Sequence, residues 1–116
     1  MKFLIGPVRQ LEEQTPEIKM IMNDLLNDTT IYAPGRDTNQ IDDTGLRICT
    51  DNKNAIIKSD EVLFVWDGKS EGCLFDLGMA FALGKKVTII HVPPLSEKKS
   101  FQNMATAYAA TFKSKE

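Results

Sequence analysis

The sharpest chemistry in this sequence rests on a hydroxyl and a carboxylate, Ser70 and Asp76. Ser70 is followed by Glu71 and Gly72, and then Cys73 to Leu83 is apolar nearly all round, with Asp76 inside it and Gly84-Lys85-Lys86 as a stop. An apolar run of this kind predicts a helix buried on every side. An ionised carboxylate without partners is costly in such a helix. One explanation is capping, with Ser70 as N-cap and Asp76 compensating the helix dipole. The other is a site. The open N–H groups at Ser70 would hold an anion or phosphate, and Asp76, about a turn and a half further on, would act as a nucleophile. The residues alone leave both readings open.

Other chemically able residues are few. Arg36-Asp37 follows a short apolar run and reads either as a surface ion pair or as a ligand contact. Trp66 closes another apolar run and reads as core or as a platform for a base. His91 is the only histidine, at the end of a core-like segment, where a structural or solvent-facing role is expected. One histidine and two separated cysteines, Cys49 and Cys73, argue against a zinc site or a Ser-His-Asp triad. No Walker A loop or G-x-G-x-x-G follows the first apolar run, so a P-loop NTPase or dinucleotide dehydrogenase is not indicated. No cofactor is expected.

The elements that must position these residues alternate. Lys2–Ile5 reads as a strand ended by Gly6-Pro7, where glycine allows a tight turn and proline blocks further pairing. Thr15-Pro16-Glu17 opens a helix with its stripe at Ile18, Ile21, Met22, Leu25 and Leu26. Thr30–Ala33 is a second short strand stopped by Pro34-Gly35, and 36–43 is a polar loop. Leu46, Cys49, Ile56 and Ile57 suggest a helix over about 44–58. Val62–Trp66 is a strand buried on both faces, with the loop Asp67–Gly72 after it. Val87–Val92 is a fourth strand, closed by Pro93-Pro94. Ser96-Glu97 can cap a last helix with Phe101, Met104, Ala105, Tyr108 and Phe112 on one face. Strands alternating with helices predict right-handed βαβ units, a parallel sheet and helices on both faces. Ligands then bind beyond the carboxyl ends of the strands. Those ends are Gly6-Pro7, Pro34 to Thr38, Asp67 to Gly72, and Pro93.

Composition bounds the rest. The 116 residues carry a net charge of −2, so a nucleic-acid footprint is absent. The length suits one domain, taken as 1–116. Two cysteines in apolar stretches read as reduced thiols of a cytoplasmic protein. The start of the chain reads as a strand rather than a signal peptide, and no apolar run approaches membrane-spanning length, so no membrane partner is expected.

The run Ser70-x-Gly72-x-x-x-Asp76-Leu-Gly78-x-Ala80-x-Ala82-Leu-Gly84-Lys85, after Asp60-Glu-Val-Leu-Phe-Val, resembles the nucleoside 2-deoxyribosyltransferase family. It is also similar to that family's hydrolytic branch, the 2′-deoxynucleoside 5′-monophosphate N-glycosidases. Supporting matches are Gly6-Pro7, the Tyr32-x-Pro34 end of strand two, and Asn52-x-x-Ala-Ile-x-x-Ser-Asp60. The resemblance extends to about Val92. It implies an α/β, flavodoxin-like three-layer sandwich with a parallel sheet of four or five strands in the order 2-1-3-4, assembled as a homodimer or larger homo-oligomer. It implies cleavage of the N-glycosidic bond of a (deoxy)nucleoside or its 5′-monophosphate, with the sugar passed to another base or to water.

Carried onto this chain, the resemblance makes Asp76 the nucleophile, where the family has glutamate. Ser70 stands where the monophosphate hydrolases have the serine that contacts the 5′-phosphate. Asn52, with Asp51 beside it, falls near a family aspartate that assists at the base or sugar. The substrate-binding set then comprises Gly6, Pro7, Tyr32, Arg36, Asp37, Trp66, Asp67, Ser70 and Gly72. Aspartate is shorter than glutamate by about 1.5 Å, and a misplacement of about 1 Å can cost around a hundredfold in rate. A second expectation therefore stands beside the enzyme: a nucleotide-binding protein of the same fold with weak or no turnover, a sensor or scavenger.

Overall fold

The computed structural model of the chain describes residues 1–113, with the side chains of all of them except Val8, Arg9 and Gln10. Strand β1 (Lys2–Ile5) leads through a 3-10 helix (Val8–Glu13) to α1 (Pro16–Leu26). Strand β2 (Ile31–Tyr32), α2 (Pro34–Asp37), α3 (Leu46–Lys58) and β3 (Glu61–Val65) follow. Then come α4 (Glu71–Ala82), β4 (Lys86–His91) and α5 (Phe101–Lys113). The four strands are parallel and ordered β2-β1-β3-β4. With helices on both faces, the chain is an α/β, flavodoxin-like three-layer sandwich.

The two-residue period of the strands divides the core in two. Phe3, Ile5, Val62, Phe64, Trp66 and Val87 face α3, α4 and α5, with Ala55, Ile56, Leu77, Ala80 and Ala105 against them. Leu4, Leu63 and Val65 face the other way, onto Ile18 and Met22 of α1. Thr15 caps α1, its hydroxyl oxygen accepting from the Ile18 amide at 3.3 Å, and Pro16 sits in the first turn. At Gly6 a Cβ would lie 2.8 Å from Met22 Sδ and Cε, so the missing side chain lets α1 close over the end of β1.

Three expectations need correction. The α4 helix is not buried on every side. Cys73, Leu77 and Ala80 face the sheet, while Phe75 and Phe81 are 57% and 55% exposed. The sheet covers one side of α4, and among the described residues no element covers the opposite one. The stretch after β2 is not loop throughout, because Pro34–Asp37 forms a helical turn. The last helix begins at Phe101, and its cap is Ser100, whose hydroxyl oxygen accepts from the Asn103 amide at 3.1 Å. Ser96 instead ties the preceding loop to the Asn103 side chain.

Candidate functional site

A cleft of about 520 Å³ opens where the strands end. Gly6 and Pro7 line it after β1, Pro34 and Gly35 after β2, and Ser70, Glu71 and Gly72 after β3. The α3 helix contributes Ile48, Cys49 and Asn52, and α4 contributes Cys73, Phe75 and Asp76. Residues 48, 49 and 52 share a face by helical spacing, as do 72, 75 and 76. Two helices thus present polar groups to one cavity.

Asp76 is half-buried on this wall, and burial pushes its carboxyl up to about 6, against a pull downward from a hydrogen bond with Asn52. Asn52 is 5% exposed. Its Oδ1 accepts from the Thr38 hydroxyl at 2.9 Å, and Thr38 is itself 2.5 Å from the Tyr32 hydroxyl. Burial also raises both thiols in the lining, with the charge of Asp76 contributing: Cys49 is raised, and Cys73 is pushed up to about 12. Neutral thiols next to a carboxylate make an inert, low-dielectric wall.

Asp67 has a different environment. Its Oδ1 accepts from the amides of Lys69 and Ser70 at 2.9 and 2.8 Å, and its Oδ2 from the Ser70 hydroxyl and the Gln14 amide at 2.9 and 3.0 Å. Burial raises its carboxyl, but these bonds outweigh the burial and the net shift is downward. The Ser70 hydroxyl is therefore committed to Asp67 and does not cap α4, whose first residue meets the cleft without a side-chain cap.

Of the residues expected at a site, Gly6, Pro7, Asn52, Ser70, Gly72 and Asp76 converge on the cleft. The others lie around it. Asp51 is about 100° round the helix from Asn52 and pairs with Arg47 at 2.6 Å. Arg36 spends its donors on Asp37 and on the carbonyls of Leu26, Asp28 and Ile31, joining the end of α1 to β2. Asp37 Oδ2 also accepts from the Ala33 amide at 2.9 Å. Trp66 is 6% exposed, edge-on to Phe101, with its indole N–H donating to the Ser70 carbonyl at 3.1 Å. Tyr32 stacks on Phe3 behind the cleft. His91 lies 3.8 Å from Glu17, away from the lining.

Sequence reasoning did not single out Cys49, Cys73 or Glu71 for the lining, nor Thr38 for the polar network. For Cys49 the signal was its spacing from Asn52 on one helical face. For Thr38 it was the position beyond β2. Among the described residues, no group of His, Cys, Asp and Glu could hold a metal ion. No helix of the described chain is long and apolar enough to cross a membrane. Compared with known proteins, the chain matches no family model and no curated sequence.

Proposed function

We propose that the cleft takes a (deoxy)nucleoside or its 5′-monophosphate and breaks its N-glycosidic bond, with Asp76 as nucleophile. The observation carrying this reading is the placement of the Asp76 carboxylate, half-buried in the lining of the cleft with Asn52, where burial raises it to about 6. A capping carboxylate sits in the first turn and is stabilised as an anion. Asp76 lies beyond that turn and its anion is destabilised, which is how groups used for chemistry are commonly set. Above that pH the carboxylate is a partly desolvated anion on the cleft wall it shares with the Asn52 amide.

In this reading a carboxylate oxygen attacks the anomeric carbon as the bond to the base nitrogen breaks. The bonding pair leaves with the base, which takes up a proton. Water or a second base then attacks the same carbon, and Asp76 leaves as carboxylate. The resemblance of the Ser70–Lys85 run to the deoxyribosyltransferase family supports the same assignment. The uncapped start of α4 supports a place for a 5′-phosphate.

A second reading, a nucleotide-binding protein with little turnover, is favoured by one observation. Asp51 is engaged with Arg47, and the other carboxylate of the described lining, Glu71, is exposed at the helix start. A glycosidase ordinarily uses two carboxylates. The test is incubation with a panel of nucleosides and monophosphates, with and without an acceptor base, and chromatography for released base. Release abolished by Asp76→Asn supports the enzyme. Thermal stabilisation by ligand without any release supports the binder.

A further inference from the structure

We propose that Thr38 and Tyr32 are positioning residues for Asp76: a directed run of hydrogen bonds from the Tyr32 hydroxyl through Thr38 to the Asn52 amide sets which end of that amide meets the carboxylate. The activity part of this proposal rests on the reading of Asp76 given above; the hydrogen-bond part does not.

The direction follows from counting protons. Thr38 and Asn52 are each 5% exposed, so water is a poor substitute for either partner. The Thr38 hydroxyl has one proton and donates it to Asn52 Oδ1 at 2.9 Å. Its 2.5 Å contact with Tyr32 therefore has the phenol as donor. With Oδ1 occupied, the Asn52 end left for the cleft it shares with Asp76 is the NH2, a donor on the same lining as a group that when ionised only accepts. A flipped amide would set a carbonyl oxygen against the carboxylate. Tyr32 makes the flip costly, because its proton on Thr38 Oγ1 turns the threonine proton toward Asn52. The phenol is itself fixed, its ring stacked on Phe3 at 5.6 Å and 15°. The network thus links β2, the end of α2 and α3, and it leaves the Asn52 NH2 to the cleft wall that Asn52 shares with Asp76 of α4.

The titratable groups around Asp76 are Cys49 on α3, Cys73 and Glu71 on α4, and Asp67 in the loop before it. The thiols are raised and Asp67 is lowered, so neither titrates with Asp76.

Carbon-detected NMR of the Asp76 carboxyl, followed across pH, tests the proposal. Thr38→Val keeps the shape and removes the proton, and the Asp76 midpoint should rise by about one pH unit, the scale of one charge-assisted hydrogen bond. Tyr32→Phe should raise it by less, and Thr38→Ser should restore it. Where the wild type releases base, Thr38→Val should lower kcat about tenfold with KM little changed. An Asp76 midpoint that stays put in both Thr38→Val and Tyr32→Phe overturns the proposal, even where their melting temperatures fall. A wild type that releases no base overturns the enzyme reading and leaves the titration to decide this one. Should Thr38→Val fail to fold, the Tyr32→Phe and Thr38→Ser titrations decide it alone.

Discussion

Two aspartates on either side of Ser70 show how neighbours set the cost of one charge. Asp67 accepts four hydrogen bonds, and its ionised form is favoured. Its contribution to stability is present above the ordinary carboxylate range and is lost as pH falls through its lowered value. Asp76 has the opposite sign. Its carboxyl is raised to about 6, so the folded chain holds the proton more tightly than the unfolded chain, and stability falls as pH rises from about 4 through 6. Asp76→Asn should therefore stabilise the fold at pH 7, by at most about 3 kcal/mol, and much less at pH 4. Calorimetry at the two pH values checks this; equal or lower stability of the variant at pH 7 would mean that the carboxylate is not strained. The same variant should abolish base release, while Asp76→Glu, which restores reach toward the anomeric carbon, should retain it. Base release by the wild type should rise with pH through about 6 and then level off, since the nucleophile must be ionised. A profile flat from pH 5 to 8 would remove Asp76 from the attacking role.

The elements were legible where one physical rule dominates. Burial of β3 on both faces, the Thr15-Pro16 start of α1 and the parallel sheet all follow from apolar runs and βαβ connection. The outward face of α4 was not legible, because an apolar residue in sequence does not say whether anything covers it. Nor were the roles of Arg36, Asp37 and Trp66, since a loop residue's partners are set by backbone carbonyls and rings distant in sequence. Asn52 and Asp76 were found, but Thr38, which orients the amide between them, carries no motif. Arg36→Lys tests the element-level role of that side chain. Lysine cannot make the same fork of bonds to Leu26, Asp28, Ile31 and Asp37. The melting temperature should fall by roughly 5 °C with ligand affinity unchanged; lost affinity at constant stability would return Arg36 to the binding surface. The start of α4 gives a second test. A 5′-phosphate there would gain contacts that a nucleoside lacks, about 1.5–3 kcal/mol for a charge-assisted bond. Thermal-shift titration should then show tighter binding of the monophosphate by about ten- to a hundredfold. Equal stabilisation by both would mean that Ser70 and its loop serve the fold alone.

At the scale of the whole molecule, the radius of gyration of 13.6 Å is that of a compact fold, for which about 13 Å is usual at a hundred residues. The core is closed by the chain's own elements, so self-association would be added to a folded protomer. The surface gives a reason to expect it. Phe75 and Phe81 on α4, Leu83 after it, and Phe101 and Met104 on α5 are large apolar side chains left between 42% and 57% exposed. The two helices meet through Phe81 and Tyr108, whose ring centroids are 4.9 Å apart. The last helix does not present its whole stripe outward. Ala105 and Ala109 are buried, and the Tyr108 hydroxyl donates to the Lys85 carbonyl at 2.7 Å, so part of that stripe covers the sheet. The occupant expected on the exposed remainder is a second copy of the chain, in keeping with the oligomers of the family it resembles. Phe75 is exposed and also lines the cleft, so a partner seated against it would narrow the cleft mouth beside Asp76. The prediction is a dimer or larger assembly by light scattering at micromolar concentration, shifted to monomer by Leu83→Lys, which puts an ammonium on the outer face. Ligand binding should weaken as the protein is diluted below the dissociation constant of the assembly, and by the same factor at any concentration in the Leu83→Lys monomer. A wild-type monomer across the micromolar range would end the idea. A dimer whose ligand affinity is independent of dilution would keep the interface but free the cleft from it.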